Sequence, residues 1–190
     1  MRRCAGRLGR RFAVICTVAL AAVVPASAGA VRADPDNARV LLRNADGRPV
    51  GTVRLDQEDG AVLVRAGVYD LTPGFHGFHV HAVGACVPPF TSAGGHYNPG
   101  GMTHGGHAGD MPSLLVMADG TGELRFKTDR FTVAALLDAD GSAVVVHANA
   151  DNFANIPTRY YSQTEGVFGP DSATLATGDS GTRVACGVVR

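Results

Sequence analysis

Short valine-rich runs, each closed by a turn-forming cluster, recur along this chain and commit it to a β architecture. Residues 38–42 are followed by Asn44-Ala45-Asp46-Gly47, 50–55 by Glu58-Asp59-Gly60, and 61–69 by Thr72-Pro73-Gly74. Further runs cover 77–82, 113–117, 122–128, 142–148 and 183–189, with Asp119-Gly120 as a hairpin signal between two of them. Residues 131–137 fit either a strand or a helical turn. About eight strands at this spacing predict an all-β fold, a Greek-key β-sandwich or flattened barrel of antiparallel strands. Two stretches, 83–112 and 149–182, break the rhythm. Loops beyond about 15 residues are usually functional or disordered. These two hold most of the candidate ligands, so they read as functional.

The N-terminus has a different character. Arg2, Arg3, Arg7, Arg10 and Arg11 precede an apolar run at 12–24 and the small-residue stretch Pro25-Ala26-Ser27-Ala28. That order predicts a secretory signal peptide at 1–28. The run is shorter than the roughly 20 apolar residues a membrane-spanning helix needs. A short disordered stub at 29–36 and one domain at 37–190 follow, for a protein exported to a periplasm, the cell envelope or the medium. Removing the leader takes five arginines and no acid, so 17 basic residues become 12 against 17 acidic ones, a net of −5. That balance argues against nucleic acid or an anionic membrane surface as partner. Cys4 and Cys16 leave as well, and the remaining pair, Cys86 and Cys186, is most simply a disulfide in an exported protein.

Six of the seven histidines fall into three groups. His79 and His81 stand two apart on a strand, so both leave the same face and can chelate one ion. His104, His107 and Asp110 recur at three-residue intervals in a glycine-rich loop, and His96 precedes them. Three imidazoles and a carboxylate form a closed set suited to structural zinc. His147 ends an apolar strand, and with His79, His81 and His96 it completes a four-nitrogen set suited to Cu(II). His96 then belongs to both sets, one ring nitrogen for each. Asp151 is placed to accept hydrogen bonds from ligands of both. Arg183, three residues before Cys186, is placed to draw a small anion toward the copper.

These motifs resemble the copper–zinc superoxide dismutase family: HGFHVH (76–81), Cys86, SAGGHYNPGG (92–101), HGGHAGD (104–110), VVVHANAD (144–151) and TGDSGTRVACGVV (177–189). The resemblance runs from about Asn37 to the C-terminus. It implies copper on His79, His81, His96 and His147, zinc on His96, His104, His107 and Asp110, and a Cys86–Cys186 bridge. It also implies Asp151 as the link between the sites, Arg183 as anion guide, and His76 as a non-ligand histidine bonded to backbone. The implied reaction turns two superoxide anions into O2 and H2O2, with His96 carrying a proton. The segment Val87-Pro88-Pro89-Phe90 and the leader look closer to bacterial exported forms, and the loop at 152–176 lacks the lysine-bearing steering pattern of eukaryotic members. A non-catalytic copper and zinc carrier or buffering module on the same fold is the other reading. No motif writes an oligomeric state, and the strand edges leave a homodimer open.

Overall fold

The computed structural model describes residues 36–190. The leader expected at 1–28 and nearly all of the stub at 29–36 lie outside the described residues. In chain order the strands are β1 (Asn37–Asn44), β2 (Pro49–Glu58), β3 (Ala61–Val68), β4 (Gly74–His76), β5 (Phe78–His81), β6 (Leu114–Val116), β7 (Gly122–Thr128), β8 (Ala143–His147), β9 (Tyr161–Ser162), β10 (Val167–Phe168) and β11 (Arg183–Val188). Two short helices, α1 (Val133–Leu136) and α2 (Ser172–Thr177), lie between β7 and β8 and between β10 and β11.

Seven strands form one antiparallel sheet in the order β5-β8-β11-β1-β2-β3-β7, and β4 pairs with β6 separately. The meander β1-β2-β3 is followed by a crossing to β4 and β5. The chain then returns to β6 and β7 beside β3, crosses to β8 beside β5, and ends on β11 beside β1. These crossings are the Greek-key pattern. β4 continues through Gly77 into β5, and β6 turns into β7, where Met117 N–H donates to Thr121 O at 2.7 Å. The β4–β6 pair therefore connects by chain to both edge strands, and the curled sheet encloses a single core.

Alternation builds that core. Val40 and Leu42, Val53 and Leu55, Val62 and Val64, Phe78 and Val80, and Val144 and Val146 all point inward. β5 and β8 are buried on both faces. Their outer face meets the first loop (82–113), where Phe90 and Ala93 pack on Ala143, Val145 and Cys186. His79 and His81 lie on this covered outer face, opposite Val145 and Ala143. Residues 131–137 resolve as a helical turn because Thr132 caps it, its side chain accepting from Ala135 N–H. The second loop (148–182) has more structure than its composition suggests. Gly166 turns the β9–β10 hairpin at φ 70°, Asp171 caps α2 by accepting from Thr174 N–H, and Gly178 ends it at φ 63°. Among the described residues no helix is long and apolar enough to cross a membrane.

Candidate metal centre

The first loop reaches the sheet by backbone pairing with β5. Val80 N–H donates to Gly109 O at 2.9 Å, Tyr97 N–H to Val80 O at 2.8 Å, and Ala82 N–H to Gly95 O at 3.0 Å. This sets His96 opposite His81 and Asp110 opposite His79. The approach requires glycine at 109, where a Cβ would lie 2.3 Å from Val80 O. Two four-residue clusters result, His79, His81, His96 and His147, and His96, His104, His107 and Asp110, each with ligand atoms within 4.8 Å of one another and every member buried.

In the second cluster, Asp110 is aimed by backbone. Gly105 and His107 N–H donate to its Oδ2 at 2.8 Å and 3.0 Å. Its Oδ1 faces His96 Nδ1 at 2.9 Å, His104 Nδ1 at 3.2 Å and His107 Nδ1 at 3.3 Å. Zn–N bonds of about 2.0–2.1 Å in a tetrahedron imply ligand atoms roughly 3.3 Å apart, so this spacing fits a shared ion. His107 Nδ1 and His96 Nδ1 are likewise 3.3 Å apart. In the first cluster, His81 Nε2 and His147 Nε2 lie 3.2 Å apart.

Buried polar atoms nearly always have a partner. Here His79 Nδ1, His96 Nε2 and His104 Nδ1 are buried and have none. His104 Nδ1 is near Asp110 but not aligned with it as a hydrogen bond. All three atoms belong to residues of the two clusters, so the donor set fits metal ions on the molecule's own geometry. His96 uses Nδ1 toward the His104, His107 and Asp110 side, which leaves Nε2 for the other.

Surrounding groups hold the rings in place. Asp151 accepts from His79 Nε2 at 2.8 Å on one oxygen and from His104 Nε2 at 2.7 Å on the other, tying one ring of each cluster to a single carboxylate. His81 Nδ1 meets Gly94 O at 3.0 Å and His147 Nδ1 meets Gly181 O at 3.2 Å. His76 lies outside both clusters, its Nδ1 2.6 Å from His147 O and its Nε2 2.8 Å from Thr72 O. The Cys86–Cys186 disulfide joins the first loop to β11, with the Cα atoms 5.7 Å apart. Arg183 on β11 donates to Phe90 O and Gly94 O, each at 2.6 Å. It lines an open pocket with His96, His147, Thr177, Asp179 and Gly181, and is the only Lys or Arg among the lining residues.

Electrostatics favour neutral rings at His79, His81 and His147. Burial pulls His79 down to about 4 against the opposing bond to Asp151. Burial, then His96, takes His81 to about 2, and burial, then His79, takes His147 to about 3. A metal binds the deprotonated imidazole, so these rings are poised for one at neutral pH. Burial would also depress His104, but the carboxylates of Asp110 and Asp151 on either side raise it to about 9. Asp110 and Asp151 stay well below the ordinary carboxylate range: burial opposes this, and the neighbouring rings prevail, His104 and His96 beside Asp110, His104 and His79 bonded to Asp151. The two buried carboxylates flanking His104 suit the second cluster to a cation.

One contributor has no sequence signal. Arg130, just after β7, donates to Gly105 O at 3.2 Å and His107 O at 3.3 Å and clasps the loop of the second cluster. As a lone arginine 23 residues beyond His107 it is indistinguishable in sequence from a surface residue.

The family profile described as copper/zinc superoxide dismutase (SODC) matches residues 50–189. A superoxide dismutase [Cu-Zn] of Mycolicibacterium paratuberculosis is 44% identical over 184 residues, covering 87% of this chain and 80% of the relative. One of Mycobacterium tuberculosis is 46% identical over 162 residues, 78% of this chain and 68% of the relative. Among solved structures, a SOD-like protein from Bacillus subtilis superposes with a TM-score of 0.63 at 31% identity, covering 79% of this chain and 96% of that one. With the profile spanning most of the chain and relatives this similar over most of their length, the chain belongs to the copper/zinc superoxide dismutase family.

Proposed function

We propose that this protein dismutates superoxide, 2 O2•− + 2 H+ → O2 + H2O2, with His79, His81, His96 and His147 holding copper and His96, His104, His107 and Asp110 holding zinc. Bound copper supplies a one-electron relay between two superoxide ions, and bound zinc supplies fixed positive charge beside it. The observation that carries the reading is His96, a buried ring with Nδ1 in one cluster and a partnerless Nε2 left for the other. That Nε2 is the atom that would take up a proton and deliver it toward the pocket, while the second cluster holds the ring by Nδ1. Arg183 would draw the anion in and orient it, its guanidinium fixed by Phe90 O and Gly94 O on the loop that carries His96. Asp151 keeps the Nε2 atoms of His79 and His104 occupied, so both rings can offer only Nδ1.

The site of action proposed is outside the cytoplasm. The leader pattern at 1–28 supports this, and so does the Cys86–Cys186 bridge, a bond that persists in oxidising compartments. The single domain at 37–190 is then the mature enzyme. Stopped-flow superoxide decay with the copper- and zinc-loaded protein tests the activity. Catalysed decay is expected, and its loss in His147→Ala with the far-ultraviolet dichroism retained. Decay no faster than the spontaneous reaction would overturn the proposal.

A further inference from the structure

The outer face of the sheet carries a row of like charges that the metal chemistry does not use. Arg39 faces Arg54 across β1 and β2, Arg54 faces Arg65 across β2 and β3, and Arg65 faces Arg125 across β3 and β7. On the far side of β1, Arg39 and Arg190 exchange backbone hydrogen bonds of 2.7 Å and 3.1 Å, so Arg190 stands opposite Arg39. Five exposed arginines thus form one continuous cross-strand line, roughly 19 Å long at the usual strand spacing. Like charges directly opposite destabilise a sheet, and this fold tolerates four such contacts in succession. Arg65 is paired with Asp56, while Arg39, Arg54, Arg125 and Arg190 form no ion pair among the described residues. At the β11 end an open groove of about 850 Å³ is lined by Arg39, Arg43, Arg54 and Arg190.

The line is one residue wide. On the same face its neighbours are Leu41, Thr52, Gly67 and Glu123 on one side, and Asn37, Asp56, Leu63 and Lys127 on the other. Sheet twist of about 20–25° per strand turns it through roughly 80–100° along its length. A planar bilayer or a stiff duplex cannot follow a narrow, turning path on a convex face, and both would meet Glu123 and the Asp56 side. The row's same-face neighbours include no aromatic residue on which bases could stack, which non-specific single-strand binders rely on.

We propose that the Arg190–Arg39–Arg54–Arg65–Arg125 line binds a flexible, linear phosphate polymer laid across the strands. The binding is independent of the metal centre. The probe is inorganic polyphosphate of defined length, titrated against the metal-loaded full chain. Four to five contacts on a flexible strand predict an affinity that falls about 50- to 130-fold between 50 and 200 mM salt. Arg54→Gln combined with Arg125→Gln is expected to weaken binding at least about tenfold and to flatten the logarithmic salt slope by about 1.4. Removing the same charge outside the line, with Arg48→Gln and Arg159→Gln, should leave affinity unchanged. Equal binding by the two double variants would overturn the proposal, as would a flat salt dependence in the unaltered protein. So would tighter binding to anionic vesicles, or to single-stranded DNA of equal charge.

Discussion

Asp151 joins the two clusters through a single carboxylate, and so their metal affinities should fall together when it changes. In Asp151→Asn the amide can accept from one ring at a time, and its NH2 group faces the other ring's N–H. Groups that orient metal ligands are typically worth 10–100-fold in affinity, and chelator competition should show both metals weakened within that range while the dichroism stays unchanged. Gly178→Ala should produce the same loss by another route. A Cβ there would sit 2.0 Å from Asp151 Oδ1 and 2.3 Å from His104 Nε2, at a φ of 63° that side chains resist. The pocket mouth allows a prediction of opposite signs. Arg183 and Asp179 are the two charged side chains lining it besides the histidines. Arg183→Ala should slow dismutation about 10- to 1000-fold and Asp179→Asn should speed it, both effects shrinking as salt screens the field. A rate in Arg183→Ala equal to the unaltered protein's at every ionic strength would remove its steering role. At this scale the sequence was highly legible for residues whose spacing carries chemistry: the clusters read from the histidine pattern are those the fold assembles. Arg130 and Gly178 were not, because their roles depend on which loop they happen to touch.

Elements are set in place here by covalent and backbone ties between loops and strands. Cys86 and Cys186 are 100 residues apart, and closing so long a loop stabilises the fold by about 4–5 kcal/mol in the chain-entropy model. For a domain of this size that corresponds to a melting shift of roughly 10–20 °C. Differential scanning calorimetry of Cys86→Ser with Cys186→Ser should reveal a drop of this order, and a smaller one would mean that the first loop stays docked through its pairing with β5. Strand positions were legible to within a few residues because inward valines alternate with polar residues. The strand expected at 77–82 is β5, Phe78–His81; the short β4 before it, Gly74–His76, has no signal in the turn-like Thr72-Pro73-Gly74, and Gly77 between the two donates its N–H to Asn149 O at 2.8 Å instead of to a ladder partner. The hairpin and helix inside the second loop were not legible, since two-residue strands and a six-residue helix are too short to set up a period. The arginine line was also hidden. Positions 39, 54, 65, 125 and 190 become neighbours only through register, and the net charge of −5 expected once the leader is removed points the other way.

For the molecule as a whole, the depressed histidines and the raised His104 pull stability in opposite directions with pH, and metal should change the balance. In the metal-free protein His79, His81 and His147 have values of about 4, 2 and 3, below their ordinary 6.5. As pH falls below 6.5 the unfolded chain takes up protons that these rings cannot, so stability drops through the window from 6.5 to about 4 and below. His104, raised to about 9, acts in reverse: its contribution is complete below 6.5 and is lost as pH rises through 9. Asp110 and Asp151, both depressed from 3.8, stabilise above that value and add to the acid loss beneath it. The metal-free melting temperature should therefore peak near pH 6–7 and decline on both sides, more steeply on the acid side, where His79, His81, His147 and the also depressed His107 act together against His104 alone on the alkaline side. Metal binds the deprotonated ring and replaces the proton on His104, which removes the alkaline decline. It also sets protons against metal at low pH, which steepens the acid one. Calorimetric scans from pH 4 to 9.5 with and without copper and zinc should find the loaded protein's plateau extending through pH 9. If the metal-free protein shared that alkaline plateau, His104 would not be held between two carboxylates, and the carboxylate-flanked site for the second ion would have to be discarded.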